Sequence, residues 1–168
     1  RAHGFAMFAF ADPLRDMLEH GFGIHPKVFR PEHKEEVIDW IGKSPRQLMQ
    51  TLGTEWGRNL VSPDIWCRAM MRRISAAQIF GDDIVITDVR FVDESVMIRR
   101  LGGEIWRIAR PESATTDHHQ HISELGAQYI AVQRTLTNGG TLEQLYEQID
   151  EALDAAFDIA GQNIEAAQ

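Results

Sequence analysis

Short apolar runs alternate with longer amphipathic segments along this chain. Residues 5–10, 83–88 and 104–109 are apolar runs of strand length, and a weaker run lies near residues 129–132. Helical patterns connect these runs, whereas residues 23–43 are predicted to form a loop with short turns. Continuous apolar strands are typical of parallel sheets, which are covered on both faces. The alternation predicts a three-layer α/β fold with a mostly parallel sheet and flanking helices.

Local signals mark where the helices begin and end. An N-cap residue followed by proline occurs at Asp12, Ser44 and Ser62, and each pair predicts the start of a helix. The glycine pair that begins at Gly102 predicts the end of the preceding helix. Thr141 predicts the start of the last helix.

The helix that begins after Ser44 has an unusual polar face. With 3.6 residues per turn, its apolar side chains share one side: Leu48, Met49, Leu52, Trp56 and Leu60. The opposite side carries amides, hydroxyls and one guanidinium: Gln47, Thr51, Thr54 and Arg58, with Gln50 and Glu55 beside them. Such groups can fix a small polar molecule, whereas a face that meets only water is usually filled with Lys and Glu. The alternative is a solvated helix that happens to carry these residues.

The last helix is predicted to be amphipathic and acidic. Its apolar stripe consists of Leu142, Leu145, Tyr146, Ile149, Leu153 and Phe157. The outer face is predicted to be solvated, and the tail is a candidate contact for a homodimer.

Length and composition indicate one globular domain over residues 1–168. The chain is 43% hydrophobic and 25% charged, which is ordinary for a protein with a buried core. It has no apolar run of membrane-spanning length and no signal-peptide pattern, so we expect a cytoplasmic protein without a membrane partner. The single Cys67 is consistent with a reducing compartment and is expected to pack as a small hydrophobic residue.

The net charge of −8 is unevenly distributed. Residues after Arg134 contain no Lys or Arg and carry seven of these negative charges, so the body is close to neutral. Residues 44–73 are rich in arginine: Arg46, Arg58, Arg68, Arg72 and Arg73. Such a segment suits phosphate recognition, although Arg72 and Arg73 come late in a helix and are expected to be solvated. A pI near 5.3 argues against a nucleic-acid polymer as ligand, whereas a small anionic substrate needs only a few arginines.

Charged residues follow the predicted strands. Asp12 and Arg15 follow the first strand, Asp88 and Arg90 the second, and Arg110 the third. Ligands of open α/β sheets bind at the carboxyl ends of strands, and a carboxylate there suits Mg²⁺ beside phosphates. For Asp88 and Arg90, the alternative is a helix cap and a surface ion pair.

Three histidines, His118, His119 and His121, lie close together after the third strand. A metal site needs further ligands at fixed spacing, and no cysteine motif lies nearby. We therefore expect a solvated loop and no structural zinc.

Five sequence blocks carry a family resemblance. They are Phe8-Ala9-Phe10-Ala11-Asp12-Pro13-Leu14-Arg15, the stretch from Ser44 to Arg58, Pro63-Asp64-Ile65-Trp66, Thr87-Asp88-Val89-Arg90-Phe91 with Glu94, and His121-Ile122-Ser123-Glu124. In this order, over most of residues 8–138, they resemble the phage-type deoxynucleoside monophosphate kinases. The resemblance implies a P-loop kinase fold that transfers the γ-phosphoryl group of ATP, with Mg²⁺, to a deoxynucleoside 5′-monophosphate.

Site roles follow from this resemblance and from the needs of phosphoryl transfer. We assign Arg58 and Arg90 to the acceptor phosphate or the transferred group, and Asp88 to the Mg²⁺ shell. Arg15 and Arg46 are further phosphate ligands. Candidates for binding the rest of the acceptor, including its base and sugar, are Asp12, Gln47, Gln50, Thr54 and Trp66. A lid loop is expected at about residues 110–126, with Arg110 meeting ATP on closure.

The chain departs from this family in one motif. Such kinases begin with a strand and a Gly-rich Lys-Ser/Thr loop that cradles ATP phosphates, and nothing in this sequence matches that loop. We expect that the N-terminal strand and P-loop are missing from the sequence, so residues 1–168 alone bind an acceptor weakly without turning it over. The alternative is a non-catalytic nucleotide- or phosphate-binding module of the same fold.

Overall fold

The structure is a computed structural model that describes residues 4–111 and 126–166, with side chains up to residue 158. In chain order its elements are β1 (Ala6–Phe8), α1 (Asp12–Phe22), a 3-10 helix (Pro26–Phe29), α2 (Pro45–Gln50), a π-helix (Thr51–Val61), α3 (Ile65–Ile79), β2 (Ile84–Ile86), α4 (Val92–Arg100), β3 (Trp106–Ala109), β4 (Arg134–Thr137) and α5 (Leu142–Ala166). The chain divides into two compact units, residues 1–89 and residues 90–168.

The first unit contains a parallel pair of strands. β1 pairs with β2 in the register Ala6 with Ile84 through Phe8 with Ile86, although the strands lie far apart in sequence. The predicted parallel pairing is confirmed. The prediction that both faces are covered is wrong for this pair, since Met7 is 72% exposed. The core of this unit includes buried side chains from α1 and α3: Leu14, Leu18, Trp66, Met70 and Ile74.

The second unit contains the other parallel pair, β3 with β4. The strand predicted near residues 129–132 is wrong in position, because the chain pairs with β3 only from Arg134 onward and Tyr129 lies exposed in a turn. Leu136 of β4 packs with Leu145 of α5 in a small core. This strand forms where β3 provides a hydrogen-bonding partner, rather than where the chain is most apolar.

Most predicted helix ends are confirmed. Ser44 caps α2, Thr141 accepts a hydrogen bond from the N–H of Gln144 at the start of α5, and Gly102 after α4 has a positive φ of 81°. Asp12 is the first residue of α1 rather than its N-cap, and α3 begins at Ile65, three residues after the predicted cap.

The prediction for the last helix is correct in part. Leu145 is buried, but Leu142 is 59% exposed and Phe157 is 49% exposed. The apolar stripe is wider than the face that packs against β4.

The protein has the predicted α/β fold, consistent with that of P-loop kinases, with short parallel strands connected by helices. Among the residues described, no helix combines the length and apolar character needed to cross a bilayer.

Candidate functional site at the carboxyl end of the β1–β2 sheet

The carboxylate of Asp88 joins the carboxyl ends of β1 and β2. Its Oδ1 accepts a hydrogen bond from the N–H of Phe10 at 2.7 Å, and its Oδ2 accepts one from the N–H of Ala11 at 3.0 Å. The N–H of Ala9 donates to Oδ2 of Asp12 at 2.7 Å. Successive amides in a turn form a concavity that attracts anions. Here three successive amides bind carboxylates of the same chain.

Opposite charges alternate around Asp12 at the start of α1. Nη1 of Arg15 donates to Oδ1 of Asp12 at 3.1 Å. Arg73 of α3 places Nη1 3.8 Å from Oδ2 of Asp12 and Nη2 2.5 Å from Oδ2 of Asp16. The prediction that Arg73 is solvated is wrong, because its guanidinium pairs with two carboxylates of α1. The side chain of Arg15 remains 44% exposed.

Two predicted ligands at the start of α2 already have partners within the protein. Oε1 of Gln47 accepts a hydrogen bond from the N–H of Ser44 at 3.0 Å, and Oγ of Ser44 accepts one from the N–H of Gln47 at 3.3 Å. This capping box leaves the side-chain NH₂ of Gln47 as the group that can donate to a ligand. Nε of Arg46 lies 2.5 Å from Oε1 of Glu35, so a phosphate must compete with a carboxylate for Arg46.

The helix predicted from Ser44 changes its pitch after Gln50. Residues 51–61 form a π-helix, whose bonds run from each N–H to the fifth carbonyl before it, as from Ser62 to Gly57 at 2.9 Å. More residues per turn rotate later side chains away from the positions that a 3.6-residue period gives. The predicted apolar face is therefore wrong at its end, where Leu60 is 78% exposed and Trp56 is 40% exposed.

Trp66 is part of the core and has little exposed ring surface. It is 5% exposed, and its Nε1–H donates to the carbonyl oxygen of Gly53 at 2.7 Å. A Cβ at Gly57 would lie 2.4 Å from Cζ2 of Trp66, so the indole fits closely against the π-helix backbone. Little of Trp66, a candidate for binding the base and sugar of the acceptor, is therefore open to a ligand: the indole packs inside the protein, and its donor is already bonded.

Arg58 joins the end of the π-helix to the turn before α3. Its Nη1 donates to the carbonyl oxygen of Pro63 at 3.0 Å. The side chain is half-buried, as are those of Gln50 and Thr54. The hydrogen bond fixes the direction of the guanidinium.

Arg90 belongs to the second unit, where its backbone is fixed. The carboxylate of Glu94, which is 3% exposed, accepts hydrogen bonds from the N–H of Arg90 at 2.8 Å and of Phe91 at 3.1 Å. These bonds satisfy amides at the start of α4. The Arg90 residue itself is exposed, so its side chain projects from a rigid base.

Arg110 is exposed directly after β3. Residues 112–125, which include most of the predicted lid and all three histidines of the cluster, lie outside the described residues.

The predictions named Glu94 and Arg73 but missed the structural roles of both residues. Glu94 stands three residues after Phe91, at the N3 position where a helix-capping glutamate is common, and this local signal could have identified it. Arg73 pairs with Asp16 across 57 positions of sequence, and no local signal indicates that pairing.

Comparisons with known proteins agree with this picture. Residues 32–149 match the profile of a family described as deoxynucleotide monophosphate kinase. A protein of Acanthamoeba polyphaga mimivirus, provisionally named a deoxynucleotide monophosphate kinase, is 30% identical over 91% of this chain and 85% of its own length. The deoxynucleotide monophosphate kinase of Escherichia phage RB69 is 33% identical over 66% of this chain. The deoxynucleoside-5′-monophosphate kinase of Escherichia phage T5 is 33% identical over 64% of it. The matched part spans 45% of the length of each phage protein. This chain belongs to the deoxynucleotide monophosphate kinase family.

Proposed function

We propose that the protein transfers the γ-phosphoryl group of ATP to a deoxynucleoside 5′-monophosphate, giving the diphosphate. Family membership supports the kinase class, and the names of the relatives support this acceptor. The observation that carries the proposal is the set of charged groups at the carboxyl end of β1 and β2, where Asp12, Arg15 and Asp88 surround one turn. Ligands of open α/β sheets bind at this edge.

Arginines would provide most of the phosphate recognition. Arg58 and Arg90 would bind the acceptor phosphate or the transferred group, because one is fixed by a hydrogen bond to Pro63 and the other projects from a capped helix start. Arg46 would act as a further phosphate ligand after exchanging the carboxylate of Glu35 for the phosphate, and Arg15 would act as another while it keeps its bond to Asp12. Each guanidinium offers several donors in a fixed plane, which suits phosphate oxygens.

Polar groups of the first unit would orient the rest of the acceptor. Asp12 at the start of α1 and the side-chain NH₂ of Gln47 are candidates for the base and sugar. Gln50 and Thr54 are half-buried on the same continuous helical segment and extend that candidate surface. Arg110 would approach ATP from the lid.

Mg²⁺ is the cation that the family resemblance implies, and the chemistry of Asp88 fits it. Each carboxylate oxygen accepts one backbone hydrogen bond and keeps further acceptor capacity. Asp88 would hold the ion directly or through a water molecule. When bound, Mg²⁺ neutralises charge on the phosphates.

Phosphoryl transfer requires little covalent chemistry from the protein itself. The reaction needs the two phosphates in line and their developing charge stabilised. The bonds from Asp88 to the turn, from Glu94 to the start of α4 and from Arg58 to Pro63 hold charged groups in place before a ligand arrives. Preorganised charges of this kind lower the barrier without rearranging during the reaction.

A coupled assay of ADP release tests the proposal with the full-length protein, ATP, Mg²⁺ and each common deoxynucleoside monophosphate. We expect turnover that depends on the acceptor, above the background with ATP alone. Absence of turnover with every acceptor, from protein that unfolds cooperatively, would refute the proposal. Acceptor binding without transfer would instead indicate a non-catalytic module.

A further inference from the structure

Two carboxylates and two guanidinium groups meet on one side of α1. Asp12 and Asp16 are about one helical turn apart, and Arg15 lies between them in sequence. Nη1 of Arg15 donates to Oδ1 of Asp12 at 3.1 Å. The fourth group comes from α3, where Nη2 of Arg73 lies 2.5 Å from Oδ2 of Asp16 and Nη1 lies 3.8 Å from Oδ2 of Asp12. Arg73 therefore bridges both carboxylates of α1.

Core packing holds Arg73 in this position. It directly precedes Ile74 of α3 and follows Met70, and these two side chains are buried. Arg73 itself is half-buried, whereas its neighbour Arg72 is exposed. On α1, the buried Leu14 lies between the two carboxylates in sequence. Close-packed side chains on both helices fix the backbone at these charges, so the bridge is in place before a ligand arrives.

The two guanidinium groups differ in what they leave for a ligand. Arg73 directs both terminal nitrogens at carboxylates, and its side chain is 33% exposed. The bond of Arg15 to Asp12 uses Nη1, and the Arg15 side chain is 44% exposed. A guanidinium has five N–H donors, so Arg15 keeps donors for an anion while it holds Asp12. Arg73 is therefore placed to act on the carboxylates rather than on the anion.

The charges of this four-residue cluster balance only when Arg73 is present. Asp12 and Asp16 together carry a charge of −2, and Arg15 and Arg73 together carry +2, so the sum is zero. Without Arg73 the sum would be −1. An excess negative charge beside the Arg15 guanidinium would repel a phosphate, and this repulsion is stronger where water is partly excluded than in bulk water.

We propose that Arg73 is a positioning residue for the acceptor phosphate: it neutralises Asp12 and Asp16, so that Arg15 can bind the phosphate. The inference rests on the proposed phosphate role of Arg15 and adds the residue on which that role depends. A phosphate that approaches Arg15 then meets a neutral cluster instead of a negative one. Loss of Arg73 therefore weakens binding of the phosphate group and leaves binding of the nucleoside unchanged.

Calorimetry of the full-length protein at low salt tests this role with dTMP, dGMP and the matching nucleosides thymidine and deoxyguanosine. Arg73→Ala should raise the Kd of both nucleotides about fivefold, the size expected for one charge lost near a partly solvated phosphate. It should not change the Kd of either nucleoside. Arg73→Lys keeps the charge, so its Kd should stay within about twofold of that of the parent. Arg72→Ala is the matched control, because this arginine is the exposed neighbour on the same helix, and it should bind like the parent.

Substitution of Asp16 tests the charge balance without removing Arg73, and it serves also where Arg73→Ala fails to fold. Asp16→Asn alone makes the cluster positive and should tighten nucleotide binding about threefold. Asp16→Asn combined with Arg73→Ala restores a sum of zero and should recover a Kd within about twofold of that of the parent. This cycle separates the charge effect from the loss of Arg73 itself. Thermal melts check that each variant is folded.

Any of four results would overturn the inference. They are a Kd of Arg73→Ala equal to that of Arg72→Ala, an equal loss for nucleotide and nucleoside, no tightening in Asp16→Asn, and a double variant that binds as weakly as Arg73→Ala. The last result would indicate that Arg73 contacts the phosphate directly.

Other results separate this inference from the proposed function. Failure of the parent to bind either nucleotide would overturn both this inference and the proposed acceptor. Binding that depends on Arg73 without phosphoryl transfer would refute the kinase proposal alone. Turnover with an acceptor KM that does not depend on Arg73 would refute this inference alone.

Discussion

The two parallel strand pairs use their charged residues in different ways. At the carboxyl end of β1 and β2, Asp88 and Asp12 bind backbone amides of the turn that follows β1. These carboxylates hold the chain in place while Arg15 beside them stays 44% exposed. Charge there remains available to a ligand.

At the β3–β4 pair, charged and polar side chains form their hydrogen bonds with other groups of the protein. Oε2 of Glu104 accepts hydrogen bonds from Nε of Arg134 at 3.0 Å and from Nε1 of Trp106 at 2.7 Å, and the guanidinium lies 5.5 Å from the centre of the Trp106 ring. The side-chain amide of Gln148 bonds to both the N–H and the carbonyl oxygen of Thr137, as a neighbouring strand would. The two arrangements suggest that substitutions in the first region impair activity, whereas those in the second lower stability.

The largest effect is expected from Arg58→Ala and Arg90→Ala in the full-length protein. Loss of a fixed, charge-assisted phosphate ligand should lower kcat/KM by about 30- to 1,000-fold, equivalent to about 2–4 kcal/mol. Steady-state kinetics with a deoxynucleoside monophosphate measures this effect.

Two control variants separate activity from folding. Arg134→Ala should lower Tm and keep kcat/KM, because its partners are Glu104 and Trp106. Arg72→Ala, at an exposed position, should change the free energy of unfolding by under about 0.5 kcal/mol. If Arg58→Ala and Arg90→Ala keep near-parental efficiency, the phosphate ligands lie elsewhere. If Arg134→Ala loses as much efficiency as they do, the β3–β4 pair also serves activity and its contrast with the β1–β2 pair fails.

Asp88→Ala should lower both stability and activity. It leaves the amides of Phe10 and Ala11 without their acceptor, which should lower the free energy of unfolding by about 2 kcal/mol. Asp88→Asn keeps one acceptor oxygen and should lose about half as much. Urea unfolding should show that stability falls from the parent to Asp88→Asn to Asp88→Ala. Equal stability of these three proteins would show that the Asp88 bonds do not hold the turn.

Gly57→Ala separates packing from ligand binding within the first unit. Its Cβ would lie 2.4 Å from Cζ2 of Trp66, so we expect a loss of about 1–3 kcal/mol in stability. The matched control is Gly53→Ala in the same π-helix, where the nearest atom is 3.4 Å away on Leu14, and this change should be close to neutral. The acceptor KM of folded Gly57→Ala should equal that of the parent. A raised KM would argue that Trp66 contacts the acceptor.

Apart from the control variants, the smallest effect is expected from Glu104→Gln. Hydrogen bonds from Arg134 and then Trp106 lower the pKa of Glu104 below its usual value. The resulting stabilisation is present above the ordinary glutamate pKa of about 4.3 and is lost as the pH falls through the lower pKa of the folded protein. The substitution should therefore lower stability by under about 1 kcal/mol at pH 7. Denaturant unfolding between pH 3 and pH 7 should show that the difference in stability between the parent and Glu104→Gln vanishes at the acid end. A difference that grows as the pH falls would contradict a lowered pKa for Glu104.

Features encoded within a few residues could be predicted from the sequence. The cap at Ser44, the stop at Gly102 and the start at Thr141 depend on local hydrogen bonds and backbone angles, and all three are present. The parallel pairing of β1 with β2 also follows from the alternation of strand and helix. Strand composition was a poorer guide, because β4 forms at residues 134–137 where β3 offers a partner.

The side chains of the candidate site were harder to predict. The π-helix changes the residues per turn, so a helical wheel placed Trp56 on the apolar face, although Trp56 is 40% exposed. The pairing of Arg73 with Asp16 depends on how α1 and α3 pack. Such contacts arise from tertiary structure, and a single sequence does not contain a local signal for them.

The occupied amides of the turn after β1 should make phosphate binding at this edge depend on ionic strength. Because Asp88 and Asp12 already fill the donors of Ala9, Phe10 and Ala11, an anion at this edge must rely on guanidinium groups on flexible side chains. Attraction between exposed charges is largely screened beyond about 8 Å at physiological salt, and this distance shortens as salt is added. Phosphate capture at this edge should therefore weaken as salt is added, unlike capture by a backbone cradle in which the donors are rigid and partly shielded from water.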